Sequence, residues 1–176
     1  DYTKSIEINP NSINSYINRG LAYHYGMINY ESAIFDYTKA IEIDSENATA
    51  YNNRGYAYSK LENYDLAISD YTRAIEIDSE YATAYYNRGN TYSKLGNYDL
   101  AISDYTRAIE IDPQFELAYS YRGLAYYYLK KYVEAVSDYT KSIEINPNSI
   151  NSYINRGLAY HYGMINYESA IFDYTK

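Results

Sequence analysis

Residues 48–81 read ATAYNNRGYAYSKLENYDLAISDYTRAIEIDSEY, and residues 82–115 read ATAYYNRGNTYSKLGNYDLAISDYTRAIEIDPQF. The two stretches differ at seven positions, so one 34-residue unit is written twice in succession. Within the first stretch, Tyr51, Gly55, Tyr58 and Leu61 recur at spacings of three and four, which is one face of a helix. Asn63 suits the cap of a second helix, and Asp65 suits its electropositive first turn. Tyr64, Ala67, Ile68, Tyr71, Ala74 and Ile75 again follow helical spacing. That helix runs out at Ile77-Asp78-Ser79; the matching stop in the next unit is Ile111-Asp112-Pro113, where proline forbids continuation. The period fits two antiparallel helices of roughly 13 residues each, joined by tight turns.

The same unit extends in both directions. The phrase D-Y-T-[KR] begins at Asp36, Asp70, Asp104 and Asp138, each 34 residues after the last, and Asp1 and Asp173 stand 35 residues outside that run. A fixed period of this length means one supersecondary unit stacked on copies of itself. The units fall at 13–47, 48–81, 82–115, 116–149 and a truncated 150–176, with 1–12 as the second-helix tail of a preceding unit, all in one continuous array. A longer repeat lies over the short one: residues 138–176 are identical to residues 1–39. The first and last units carry one extra residue, expected in the turn at Tyr25-Gly26-Met27-Ile28-Asn29 and its copy.

Small residues recur where the helices must approach: Gly20, Gly55, Gly89, Gly123 and Gly157 on the first helix, Ala33, Ala67, Ala101, Ala135 and Ala170 on the second. Glycine inside a helix costs about 0.5–1 kcal/mol relative to alanine, so its recurrence calls for a compensating close contact.

The spacing Tyr-x3-Gly-x2-Tyr, then Tyr-x2-Ala twice, then Asp-Pro resembles the tetratricopeptide repeat. Tyr85, Gly89, Tyr92, Tyr98, Ala101, Tyr105, Ala108 and Pro113 carry it in order, and the likeness covers the whole chain. It implies an all-α fold, a right-handed superhelical solenoid of antiparallel helix pairs with 34-residue repeats (35 in the first and last units). It also implies a concave groove lined by the first helices. Departures from the family pattern are Tyr16, Tyr51, Tyr85, Tyr119 and Tyr153 where Trp is common, and Arg19, Arg54, Arg88, Arg122 and Arg156 where Leu is usual.

Composition narrows the functional classes. The net charge is −8 with only 15 Lys+Arg, so no basic stripe exists to track a nucleic acid backbone. No apolar run approaches the roughly 18 residues a membrane span needs. Cysteine is absent, which removes disulfides and thiolate metal sites. His24 and His161 are one position counted twice, and neither has the neighbours of a metal site. No phosphate loop, nucleophile elbow or carboxylate dyad is present; Glu42, Glu76 and Glu110 repeat with the unit and read as solvated faces. No enzyme and no cofactor are expected.

Tyrosine, at 29 of 176 residues, is the outstanding excess. Most tyrosines occupy fixed positions and read as core. Applied to this chain, the resemblance makes Asn52, Tyr56, Tyr86, Asn90, Tyr127 and Tyr128 candidates for lining the groove. The family's clamp for a C-terminal carboxylate pairs such Asn positions (Asn18, Asn53, Asn87, Asn155) with a first-helix Lys. Here Ile17, Asn52, Tyr86, Ser120 and Ile154 stand in its place. Arg54, Arg88 and Arg122, with Asp70, Asp104 and Asp138, are expected to form a bidentate ladder between helices; an anion-binding ladder is the functional alternative. Asn47-Ala48-Thr49 is a candidate glycosylation sequon.

The segment begins and ends inside a second helix at nearly the same phase, without polar caps. Each end is expected to expose an apolar face, and head-to-tail contacts that do not close give a filament. The expected function is a structural scaffold, a segment or subunit of a long solenoid or filament, with self-stacking as the partner contact. A surface or extracellular place is favoured over a cytoplasmic one. The alternative is an adaptor that binds a peptide or protein in the groove. An aromatic groove also suits a glycan.

Overall fold

The computed structural model describes residues 2–176; Asp1, the first aspartate of the recurring phrase, lies outside the described residues. Every regular element among them is a helix. They run α1 (Tyr2–Ile8), α2 (Ile13–Leu21), α3 (Tyr30–Ile43), α4 (Ala48–Lys60), α5 (Tyr64–Ile77), α6 (Ala82–Lys94), α7 (Tyr98–Ile111), α8 (Glu116–Tyr128), α9 (Tyr132–Ile145), α10 (Ile150–Leu158) and α11 (Tyr167–Tyr174). The chain divides into two compact units, residues 1–91 and 92–176. In the first, α2 packs on α3, α3 on α4 and α4 on α5; in the second, α7 packs on α8, α8 on α9, α9 on α10 and α10 on α11.

Local chemistry sets the ends of these helices. Asn29, Asn47 and Asn166 begin α3, α4 and α11, and each side chain accepts an N–H three residues on. At the other end, Asp44, Asp78, Asp112 and Asn146 leave the helix in extended conformation. Their Oδ1 atoms accept the N–H of Glu46, Glu80, Gln114 and Asn148, an Asx turn that fixes the return of the chain.

The core is built from small residues packed on one large ring per repeat. Tyr37, Tyr71, Tyr105 and Tyr139 are at most 1% exposed, and the alanines Ala33, Ala67, Ala101 and Ala135 beside them are fully buried. The recurring glycine makes room for the ring. A Cβ on Gly55 would stand 3.0 Å from the Tyr71 ring and 3.1 Å from the Ala67 carbonyl, so the helical cost of glycine is offset by contact with both. Between repeats, the Ala40/Ala50 and Ala74/Ala84 positions are closed by alanine, all fully buried. At the α9–α10 junction serines replace them. Ser142 and Ser152, both fully buried, meet Oγ to Oγ at 2.7 Å; in the duplicated segment, Ser5 and Ser15 do the same at 2.8 Å.

The extra residue of the first and last units does not form a longer turn, as the sequence suggested. It widens the end of the first helix into a π-helix, Ala22–Met27 after α2 and Ala159–Gly163 after α10. In the regular repeat, Asn63 N–H closes the turn on the Tyr58 carbonyl at 2.9 Å; here Asn29 N–H closes on the Tyr23 carbonyl at 2.9 Å, one residue further back. The same closure is thus kept with one more residue inside it. The left-handed position that Glu62, Gly96 and Lys130 occupy elsewhere falls on Ile28 and Ile165, both at φ 52°. A β-branched residue there is strained.

Candidate functional site

The arginines of the first helices are held in a repeated geometry. Arg54 Nε and Nη2 donate to Asp70 Oδ2 and Oδ1 at 2.7 and 2.8 Å, while Nη1 donates to Thr38 Oγ1 of the preceding repeat at 3.1 Å. Arg122 does the same with Asp138 and Thr106, and Arg156 with Asp173 and Thr140. Arg19 meets Asp36 in the same fork. Arg88 Nη1 donates to Thr72 Oγ1 at 2.9 Å, and Asp104 is buried. Burial pushes the Asp138 carboxyl up against the pull of Arg122, whose own pKa is raised by Asp138 despite burial. Forks occupied on both edges tie three helices together, and leave these guanidinium groups engaged rather than open to an anion.

The six groove candidates separate. Asn52 is only 5% exposed: its Oδ1 accepts from Asn87 Nδ2 at 3.0 Å, so it sits between first helices rather than on open surface. Tyr56 is half-buried, stacked on His24 at 4.7 Å with the Lys60 ammonium 5.0 Å from its ring centre. Tyr86 and Asn90 are half-buried on α6. Tyr127 meets Tyr132 edge-on at 5.5 Å, and Tyr128, 54% exposed, stacks on Tyr98 at 5.0 Å. Asn47 caps α4 and its Nδ2, the atom a glycan would take, donates to Asp44 Oδ2 at 3.4 Å. Among the described residues, no group of three His, Cys, Asp or Glu gathers as a metal site. No helix among them is long and apolar enough to cross a membrane.

An open depression lies between the first helices α8 and α10, lined by Leu117, Ser120, Tyr121, Leu124, Asn151 and Asn155. Sequence reasoning passed over it. One wall is Glu116, which stands where Ala48 and Ala82 stand in other units. Its Oε1 accepts from Ser142 and from Ser149, at 2.8 Å for the latter, and Ser152 bonds to Ser120 at 3.0 Å. Those departures from alanine were the available signal.

A tetratricopeptide-repeat family model matches residues 48–81, 82–115 and 117–149, and a second TPR-repeat model matches residues 29–62. The chain belongs to the tetratricopeptide repeat family. No curated protein sequence matches it. Among solved structures it is similar to YrrB, described as a TPR protein with an unusual peptide-binding site: 29% identity, TM-score 0.77, covering 98% of this chain and 88% of that one. It is also similar to MamA, at 26% identity and TM-score 0.81, covering 89% of this chain and 90% of that one. PilW, a type IV pilus biogenesis factor, shares the fold at 18% identity and TM-score 0.87, covering 98% and 79%. The all-α fold of repeated helix pairs expected from the sequence is the fold of these relatives.

Proposed function

We propose that this tetratricopeptide-repeat chain is a non-enzymatic scaffold that holds a partner protein through an extended peptide laid across α8 and α10. The observation that carries this reading is the depression between those helices. It is lined by the apolar side chains of Leu117 and Leu124, by Tyr121 and by the amides of Asn151 and Asn155. Apolar lining positions anchor side chains, and asparagine amides can pair with both the N–H and the C=O of an extended backbone. The lysine of a carboxylate clamp is replaced by Ser120 and Ile154 at this place, which favours an internal peptide segment over a free C-terminus. The relative YrrB, with its peptide-binding site, agrees with this reading. A displayed peptide library selected on the chain, followed by calorimetry, tests it. Selected peptides should lose binding to Leu124→Arg and Asn155→Ala; a library that enriches nothing, or binding untouched by both changes, would sink it.

A second reading is an extended structural array, built by stacking helix pairs end to end into a long scaffold or filament. One observation favours it. Residues 30–37 and 167–174 have the same sequence, but Tyr37 is fully buried with α4 packed on α3, while Tyr174 is 44% exposed and Ile171 62% exposed. In its first copy this sequence buries its tyrosine against α4, the contact that a stacked array would repeat. Electron microscopy over a concentration series separates the two: fibres of regular repeat support assembly, discrete particles at every concentration do not.

A further inference from the structure

The turn between α8 and α9 departs from its counterparts. Where Lys130 and Lys131 stand, the two preceding units have Glu62-Asn63 and Gly96-Asn97. Lys130 adopts φ 60°, as Glu62 does at φ 61°, at the position that Gly96 occupies at φ 76° without steric cost. Lys131 sits at the start of α9, where its charge opposes the positive helix end; Asn63 and Asn97 at the same place are uncharged. Both side chains are exposed, and among the described residues neither has a carboxylate partner, whereas Lys39, Lys141 and Arg107 each pair with a glutamate one turn on. A cation at a positive helix end, left without a counter-ion, is a local rule broken without a packing gain, which is the mark of a functional surface.

Flat aromatic faces stand beside these charges. Tyr128 stacks on Tyr98 with rings 15° from parallel and remains more than half exposed. Tyr127 lies edge-on to Tyr128 at 6.1 Å and to Tyr132 at 5.5 Å. Rings that hold one another lose little freedom when a ligand stacks on them.

We infer that this tyrosine–lysine edge docks an acidic, proline-containing segment of a partner protein. Proline rings of an extended polyproline helix stack on tyrosine faces, and the preformed helix loses little entropy on docking. Carboxylates of the segment meet the two unpaired ammonium groups. The charge of −8 selects against a long polyanion such as a nucleic acid, which would be repelled away from this edge, but not against a short acidic segment that reaches only the edge. The surface adjoins the α8–α10 depression, one turn beyond Leu124 on α8, but none of its residues lines that depression, and it does not rest on the peptide reading of it.

Fluorescence anisotropy with a labelled peptide of alternating Glu and Pro tests the inference, against one peptide with Lys for Glu and another with Gly for Pro. The wild-type chain should bind the first and neither of the others. Lys130→Gly and Lys131→Asn restore the residues of a neighbouring turn, so both should raise the thermal midpoint while weakening binding by about tenfold or more, and Tyr128→Ser should weaken it equally. Lys4→Ala, at an exposed lysine of α1, should bind as wild type. Unchanged affinity in the lysine variants, equal binding of the Gly-for-Pro peptide, or equally tight binding of a single-stranded oligonucleotide would overturn it.

Discussion

Arg54 and Asp70 meet in a two-pronged fork from α4 to α5, while the same guanidinium reaches Thr38 on α3. The Arg54 side chain is 17% exposed and that of Asp70 8%, so removal of the arginine strands a nearly buried carboxylate. Breaking a buried pair from one side costs about 3–5 kcal/mol, and the partial exposure of Arg54 places Arg54→Ala near the lower end. Arg54→Lys should recover only part of this, because an ammonium cannot span both carboxylate oxygens and the threonine. Urea unfolding of the two variants checks the order; equal stability of Arg54→Ala and wild type would refute a structural role for the fork.

Tyr71 and Tyr37 occupy the same place in successive repeats but differ in one bond. The Tyr71 hydroxyl has the Thr91 hydroxyl as partner, whereas the Tyr37 hydroxyl, equally buried, has none among the described residues. The residue equivalent to Thr91 beside Tyr37 is Ala57. Ala57→Thr is therefore expected to stabilise the chain by about 1 kcal/mol through the new hydrogen bond, and Thr91→Ala to destabilise it by about 1–3 kcal/mol through the lost one. Thermal melts of both variants are the test. Destabilisation by Ala57→Thr would show that the site has no room for the added atoms.

Ile28 and Gly96 hold equivalent left-handed turn positions with opposite suitability. Ile28 is 71% exposed, so its side chain gives little packing in return for the strain. Ile28→Gly should stabilise by about 1 kcal/mol, and Gly96→Ala, with open space around the new Cβ, should destabilise by a similar amount from backbone strain alone. Ile165→Gly is expected to follow Ile28→Gly. Denaturant midpoints at constant slope report all three.

Much of the fold was legible because the repeat restates itself. Gly55 and Tyr71 have counterparts at the same spacing in the neighbouring units, so their contact follows from the register of the two helices, and the Arg–Asp fork follows from recurring charges on the same pair. What the repeat does not restate was harder to read. An added residue in Ala22–Met27 looks in sequence like a longer loop, because nothing in the residue types separates a wide turn from a π-helix. Asn52 looked like a groove residue from its register, but Asn87 of the next repeat covers it, and register alone carries no information about such coverage. Glu116 lies next to its serines only after α9 and α10 have folded onto α8.

His24 is 4% exposed, stacked between Tyr25 at 4.3 Å and Tyr56 at 4.7 Å, with Tyr30 edge-on and no partner for Nδ1 among the described residues. Burial pushes its pKa below the ordinary 6.5, and the Lys60 ammonium on α4 pushes in the same direction. The charged group facing it is thus cationic. The unfolded chain takes up the proton more readily than the folded one, so the His24 contribution to stability is whole above pH 6.5 and is lost as pH falls from there towards the folded value. His24→Phe keeps an aromatic ring in the stack and removes the proton site. The difference in unfolding free energy between wild type and His24→Phe should therefore shift against the wild type as pH drops from about 7.5 to about 5. Parallel pH curves for the two proteins would show that the imidazole is not held neutral by the stack.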